Sequence, residues 1–155
     1  MTHVTPAPGK RPDRLTRSER KDLTRGSLMQ AALQLIGEGR SFSSLGIREI
    51  AREAGMVPNA FYRHFRNSDE LGLALVEEMG ITLRRLLREA RQSNVATSDM
   101  VRQSVQVYYE YVKQHRLQFL FISSERSGGS RILRLAIRND VIHFTNEMAL
   151  DFRRL

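Results

Sequence analysis

The chain has 155 residues, 25 Lys+Arg against 17 Asp+Glu, and neither Cys nor Trp. That length fits one domain, or a small domain joined to a second, and zero Cys excludes a disulfide scaffold, a Cys-ligated zinc site and a thiol nucleophile. No apolar run is long enough to span a bilayer as a helix, and the charged first twenty residues lack the apolar segment of a secretory signal; the expectation is a cytoplasmic protein.

The positive charge is uneven. Residues 1–66 carry 12 basic and 6 acidic side chains, residues 67–155 carry 13 and 11, and Arg supplies 22 of the 25 cations. Arg favours forked contacts to phosphate and guanine, so a basic front end suits nucleic acid as well as a merely solvated surface.

Residues 1–17 contain three of the four prolines, no apolar periodicity and several cations, which predicts a disordered basic arm. From Ser18 to Gly37 the spacing turns helical, with Leu28, Ala32, Leu35 and Ile36 on one face. A short helix is expected over Ile47 to Ala54, closed by Gly55, and a second over Pro58 to Phe65, where proline opens the helix at no cost in hydrogen bonding. Two short helices about a Gly-containing turn spell helix-turn-helix. Asn67 and Glu70 have the spacing of a capping box at the head of a long helix, Ser68 to Gln92. After a break over 93–98, a helix to Gln114 should turn Val101, Val105, Tyr108 and Val112 to one side. An apolar short helix from Leu117 to Ser124 and a loop over 127–130 follow. In the last helix, from Arg131 to Leu155, Leu133, Ile137, Val141, Phe144, Met148, Phe152 and Leu155 form a long stripe, with Ile132, Leu135, Ile142 and Leu150 apolar beside it. Such a helix asks for several neighbours, and the pattern runs to the last residue without a stop signal, so the C-terminal domain is expected to be incomplete. The fold class is all-α: a three-helix helix-turn-helix domain over 18–66, then a helical effector and dimerisation domain over 67–155.

The face of the second short helix opposite its apolar residues shows Asn59, Tyr62, Arg63 and His64. Asn reads adenine, Arg reads guanine, and Tyr donates to phosphate or touches a thymine methyl. A half-buried packing role is the lesser reading of Tyr62, and His64 suits donating to phosphate or packing as an imidazole. Four scattered His residues and the lack of a Gly-rich phosphate loop leave no catalytic, cofactor or metal constellation. Arg84, Arg85, Arg88 and Arg91 read as a solvated face of the long helix, with contact to an acidic effector or partner as the lesser reading.

The segment from Ile47 to Asn67, with A-x-x-A-G, then F-Y-x-H-F-x-N, then D-E-L, resembles the helix-turn-helix of the TetR family of bacterial repressors over about residues 24–75. Within the family, the run from Arg48 to Glu78 and the later Glu125-Arg126-Ser127-Gly128 are most similar to repressors of unsaturated fatty-acid synthesis genes. The resemblance implies a homodimer on a palindromic double-stranded operator, no enzymatic activity, and an acyl-CoA or acyl carrier protein thioester as effector. It places Thr24, Arg25, Arg48, Pro58, Asn59, Ala60, Tyr62, Arg63 and His64 at the DNA. Met79, Leu83, Val105, Tyr108, Phe119, Phe121, Phe144 and Met148 would enclose the effector's tail, although an ordinary packed core is the plainer reading of such stripes. Three positions depart from the family pattern: Gly46 and Val57 replace polar caps, and Ser68 replaces a common Lys. Competing readings are a TetR-type repressor of another pathway such as efflux with a different hydrophobic effector, and a helical interaction module that never meets DNA.

Overall fold

The computed structural model describes residues 15–92 and 96–153, and the regular structure among them is entirely helical. Helix α1 (Arg17–Gly37) is followed by a 3-10 turn (Phe42–Ser44), α2 (Ile47–Glu53) and α3 (Pro58–Tyr62). Then come α4 (Ser68–Gln92), α5 (Thr97–Gln114), α6 (Arg116–Glu125) and α7 (Arg131–Arg153). Residues 1–14 of the expected arm, and Leu155, lie outside the described residues.

Local chemistry sets the helix starts. Thr16 caps α1 by accepting from the Glu19 amide at 3.1 Å, while the Glu19 carboxylate accepts from the Thr16 amide, a complete capping box. Asn67 accepts from the Glu70 amide at 2.9 Å, as its spacing predicts, but the Glu70 carboxylate returns to the Arg66 amide at 2.8 Å, one residue earlier than expected. Gly55 turns the chain between α2 and α3 at φ +70°, a conformation that side chains with a Cβ resist. Helix α3 is three residues shorter than the apolar pattern suggests. The His64 and Phe65 amides both donate to the Phe61 carbonyl, a closing turn that swings Phe65 inward.

The main core joins α1, α2, α3 and the first turns of α4, with Leu28, Ile50, Phe61, Phe65 and Leu71 essentially sealed from water. Phe42 meets Phe121 edge-on at 5.1 Å between centroids, which ties α6 to this core. Beyond it, α4 and α7 run side by side in the same direction. Gly72 makes that possible, since a Cβ there would come within 2.8 Å of Leu133.

Three expectations change in this second region. On α5 the inward residues are Met100, Ser104 and Tyr111, whereas Val101, Val105 and Tyr108 are exposed and Val112 is half-buried. The small Ser104 and the Tyr111 hydroxyl, which donates to the Met79 carbonyl at 3.3 Å, fit against α4 better than the branched stripe. On α7 only Leu133 and Ile137 of the predicted stripe are buried; Val141 and Phe152 face outward, as do Ile132, Leu135, Ile142 and Leu150. The arginine face of α4 is not simply solvated. Arg84 pairs with Asp140, Arg88 with Glu147 at 3.3 Å and Arg91 with Asp151 at 2.8 Å, all across to α7, leaving only Arg85 with an intrahelical partner, Glu89.

Candidate nucleic-acid interface and helical cavity

Helix α3 is held by its apolar side. Phe61 is fully buried and stacks at 5.6 Å on Phe65, so the turns around them have little freedom. Position 61 inward sends Pro58, Asn59, Tyr62 and Arg63 outward, with Ala60 and His64 at the half-buried edge. Tyr62 is 58% exposed, its ring touching Phe61 only edge-on, which sets aside the packing role for it. Arg48, in the first turn of α2, is exposed as well. The missing polar caps have a visible consequence: neither Gly46 nor Val57 makes a side-chain cap bond. Val57 instead stands 69% exposed at the head of α3. An apolar group there suits a thymine methyl, a role that the sequence pattern, which marks Val57 only as a lost cap, does not suggest.

The flanking residues are more occupied. The Thr24 hydroxyl donates to the Arg20 carbonyl at 2.8 Å within α1. The Arg25 guanidinium lies 5.0 Å above the Phe65 ring and reaches the Met29 sulfur at 3.6 Å, so it braces α1 against the turn after α3. His64 is half-buried. Burial is the first cause lowering its pKa, followed by the positive charges of Lys21, Arg25 and Arg63, and its buried Nδ1 has no hydrogen-bond partner.

A cavity of about 390 Å³ opens between α4, α5, α6 and α7. Met79, Leu83, Tyr108, Phe119 and Phe144 line it together with Val76, Ile122, Ile137 and Val141. The other three expected residues lie elsewhere: Val105 on the outer face of α5, Phe121 in the main core against Phe42, and Met148 with its sulfur accepting from Arg91 at 3.0 Å. The polar part of the lining is Arg84, Ser123, Arg126 and Asp140; that Arg84 meets Asp140 had no sequence signal, because the pair joins positions far apart in the chain.

Near the cavity, the loop before α7 is fastened to the start of α4. The Ser130 hydroxyl donates to Asp69 at 2.9 Å and accepts from the Leu133 amide. Beside it Glu125 is buried, with one carboxylate oxygen unpartnered; burial first, and then the Asp69 charge, raise its pKa. Among the described residues no group of side chains is arranged to hold a metal ion, and no helix is long and apolar enough to cross a membrane.

Residues 28–75 match the family model for bacterial regulatory proteins, tetR family. The fold is similar to that of the fatty acid degradation regulator FadR from Bacillus halodurans, at 17% identity and a TM-score of 0.76, covering 84% of this chain and 67% of that one. It is also similar to a gamma-butyrolactone receptor (ArpA like protein), at 23% identity and a TM-score of 0.59, over 66% of this chain and 51% of the other. A protein described as a tetR family transcription regulator from Shewanella sp. PV-4 matches at 19% identity and a TM-score of 0.67, over 84% and 69%. Residues 28–75 are thus similar to the tetR family of bacterial regulatory proteins, and the all-helical fold of the described residues is similar to that of the TetR-type regulators named above.

Proposed function

We propose that the chain is a cytoplasmic repressor that binds a palindromic operator as a homodimer and controls genes of unsaturated fatty-acid synthesis in response to an acyl thioester. The observation that carries the DNA half is the exposed set Arg48, Val57, Asn59, Tyr62 and Arg63, displayed by helices whose opposite sides are locked into the core. The exposed apolar residues of α5 and α7 support subunit contact. The effector half rests on the cavity beside α4: a tail entering it pushes on the helix whose first turns belong to the core of the DNA-binding domain. The similarity to a regulator of fatty acid degradation supports a lipid signal, while the pathway itself rests on the resemblance of residues 48–78. In a dimer, two recognition helices must meet major grooves about 34–36 Å apart, so a small tilt of α4 is enough to spoil the fit. The aromatic edge formed by Tyr108, Phe119 and Phe144 favours a second reading, a TetR-type repressor of another pathway with a flatter hydrophobic effector.

Selection of bound sequences from a random duplex pool would deliver the operator. Against it, Arg48→Ala and Tyr62→Ala should each weaken specific binding by about 1–3 kcal/mol without altering the helical circular dichroism spectrum. Unchanged affinity in both variants would sink the assignment of these side chains to DNA. A long-chain acyl-CoA should shift operator affinity by about 1–3 kcal/mol while free CoA leaves it alone; no shift with any chain length removes the acyl effector.

A further inference from the structure

The run Glu125-Arg126-Ser127-Gly128 closes α6 and opens the loop to α7, and its glutamate belongs neither to the cavity lining nor to the DNA face. Glu125 is 2% exposed, and its Oε2 has no hydrogen-bond partner. The chain folds tightly over it: the Gly128 amide donates to the Glu125 carbonyl at 3.1 Å, and a Cβ on Gly128 would come within 2.6 Å of Oε2. The same loop grips the head of α4. One hydroxyl, that of Ser130, donates to Asp69 at 2.9 Å and accepts from the Leu133 amide at 3.3 Å, so it clasps α4 while capping α7.

Two carboxyls thus share one joint in opposite surroundings. Asp69 lies in the first turn of α4, where free amides favour negative charge, and it has the Ser130 hydroxyl as a donor. Glu125 is the last residue of α6, where the free carbonyls disfavour an anion. Of the helices packed around α6, α4 brings Asp69; α1, α5 and α7 bring no charge that acts on the Glu125 carboxyl, and Arg134 is held by the Gly128 carbonyl. Among the described residues no cation forms an ion pair with Glu125. Burial and the Asp69 charge both raise its pKa, in agreement with this geometry.

We propose that Glu125 is a proton-operated latch: protonated, it lets the loop before α7 lie closed on the first turn of α4; ionised, it repels Asp69 and opens the Asp69–Ser130 clasp. The proton passes to and from solvent water. Opening the clasp reaches α3, because Leu71, two residues beyond Asp69, is sealed in the main core and only residues 63–67 separate α3 from α4. Protons are then an input to α4 separate from any molecule in the cavity.

The test follows the full chain between about pH 4 and about pH 8 at fixed ionic strength. NMR carboxyl shifts, assigned with Glu125→Gln, locate the Glu125 titration. Two further readouts are amide exchange over residues 127–134, corrected for its intrinsic pH dependence, and binding of a duplex that the chain itself selects from a random pool at the acid end. Through the Glu125 titration, loop exchange should quicken and duplex binding weaken by about tenfold each, the factor that one pKa unit between closed and open joint supplies. Glu125→Gln, which cannot ionise, should hold both at their acid values throughout. Asp69→Asn, which keeps an oxygen for Ser130, should move the titration to lower pH and shrink both changes. A Glu125 carboxyl that titrates at its ordinary value, a pH dependence that survives Glu125→Gln, or a titration that leaves loop exchange unchanged overturns the latch. Constant duplex binding while the loop opens overturns its link to α3. If Glu125→Gln fails to fold, Asp69→Asn decides by whether the titration moves. A chain that selects no duplex removes the DNA reading, and loop exchange still judges the latch.

Discussion

The two halves of the molecule solve the problem of burial differently. From α1 to the first turns of α4, nearly every large apolar side chain is covered, and the faces left outside are polar or basic apart from a few such as Val57. From α5 to α7, sealed apolar residues are few, chiefly Met100, Tyr111, Phe121, Leu133 and Ile137, while Val105, Tyr109, Ile132, Val141, Ile142 and Leu150 stand open to water. The first half is closed around its core and leaves polar and basic faces outside. The second leaves apolar surface open, and across α4 and α7 three ion pairs supplement the packing.

This contrast makes the expected cost of a substitution depend on where it falls. Phe61→Ala empties a sealed site in the main core and should cost about 3–5 kcal/mol; Val105→Ala should change stability by less than about 0.5 kcal/mol. Chemical denaturation of the two variants measures the difference directly, and equal costs would abolish the distinction between the halves. Charge is the next lever. Asp151→Asn removes the negative charge that pairs with the Arg91 side chain, 5% exposed, while keeping an oxygen acceptor, and should cost about 2 kcal/mol because the carboxylate is itself partly hydrated. Glu147→Ala breaks a wet pair with Arg88 and should be nearly silent in the same melts.

A smaller effect than that at Asp151 should appear where the halves meet. Glu125 has a pKa raised above its ordinary value of 4.5 by burial and by Asp69. Its contribution to stability is therefore fully present below that ordinary value and is lost as pH rises through the raised one. Glu125→Gln should flatten this dependence and gain about 1 kcal/mol at neutral pH, since a buried charge with an unpartnered oxygen is removed. Denaturation midpoints at pH 5 and pH 8 should converge in the variant; a persistent gap would move the titration to another group.

The helix order and the inward face of α1 were legible in the sequence, and the short helices and the start of α4 are announced by chemistry within a few residues: Gly55, Pro58, and Asn67 with Glu70. The outward set on α3 was legible for the same reason, since fixing Phe61 fixes its neighbours. The face of α5 was not. Its most apolar stripe lies outside, and what turns it is the fit of Ser104 and Tyr111 to a helix distant in sequence. The cavity was legible only in part, because residues such as Phe121 and Met79 carry the same apolar signature whether they meet a core or an opening. Nor does a run of arginines on α4 announce that its counter-charges wait on α7.

Those three pairs between α4 and α7 also restrict how the second half can move. The helices run in the same direction, so a slip by one turn, about 5.4 Å, re-matches every rung four positions away. Sliding one way sets Arg84 against Phe144 and Arg88 against Asp151; sliding the other way sets them against Ala136 and His143, with Arg91 against Glu147. Either shift keeps at most one favourable rung, so the charges act as a toothed rack that permits no neighbouring register. The helices can still tilt or spread without leaving their rungs.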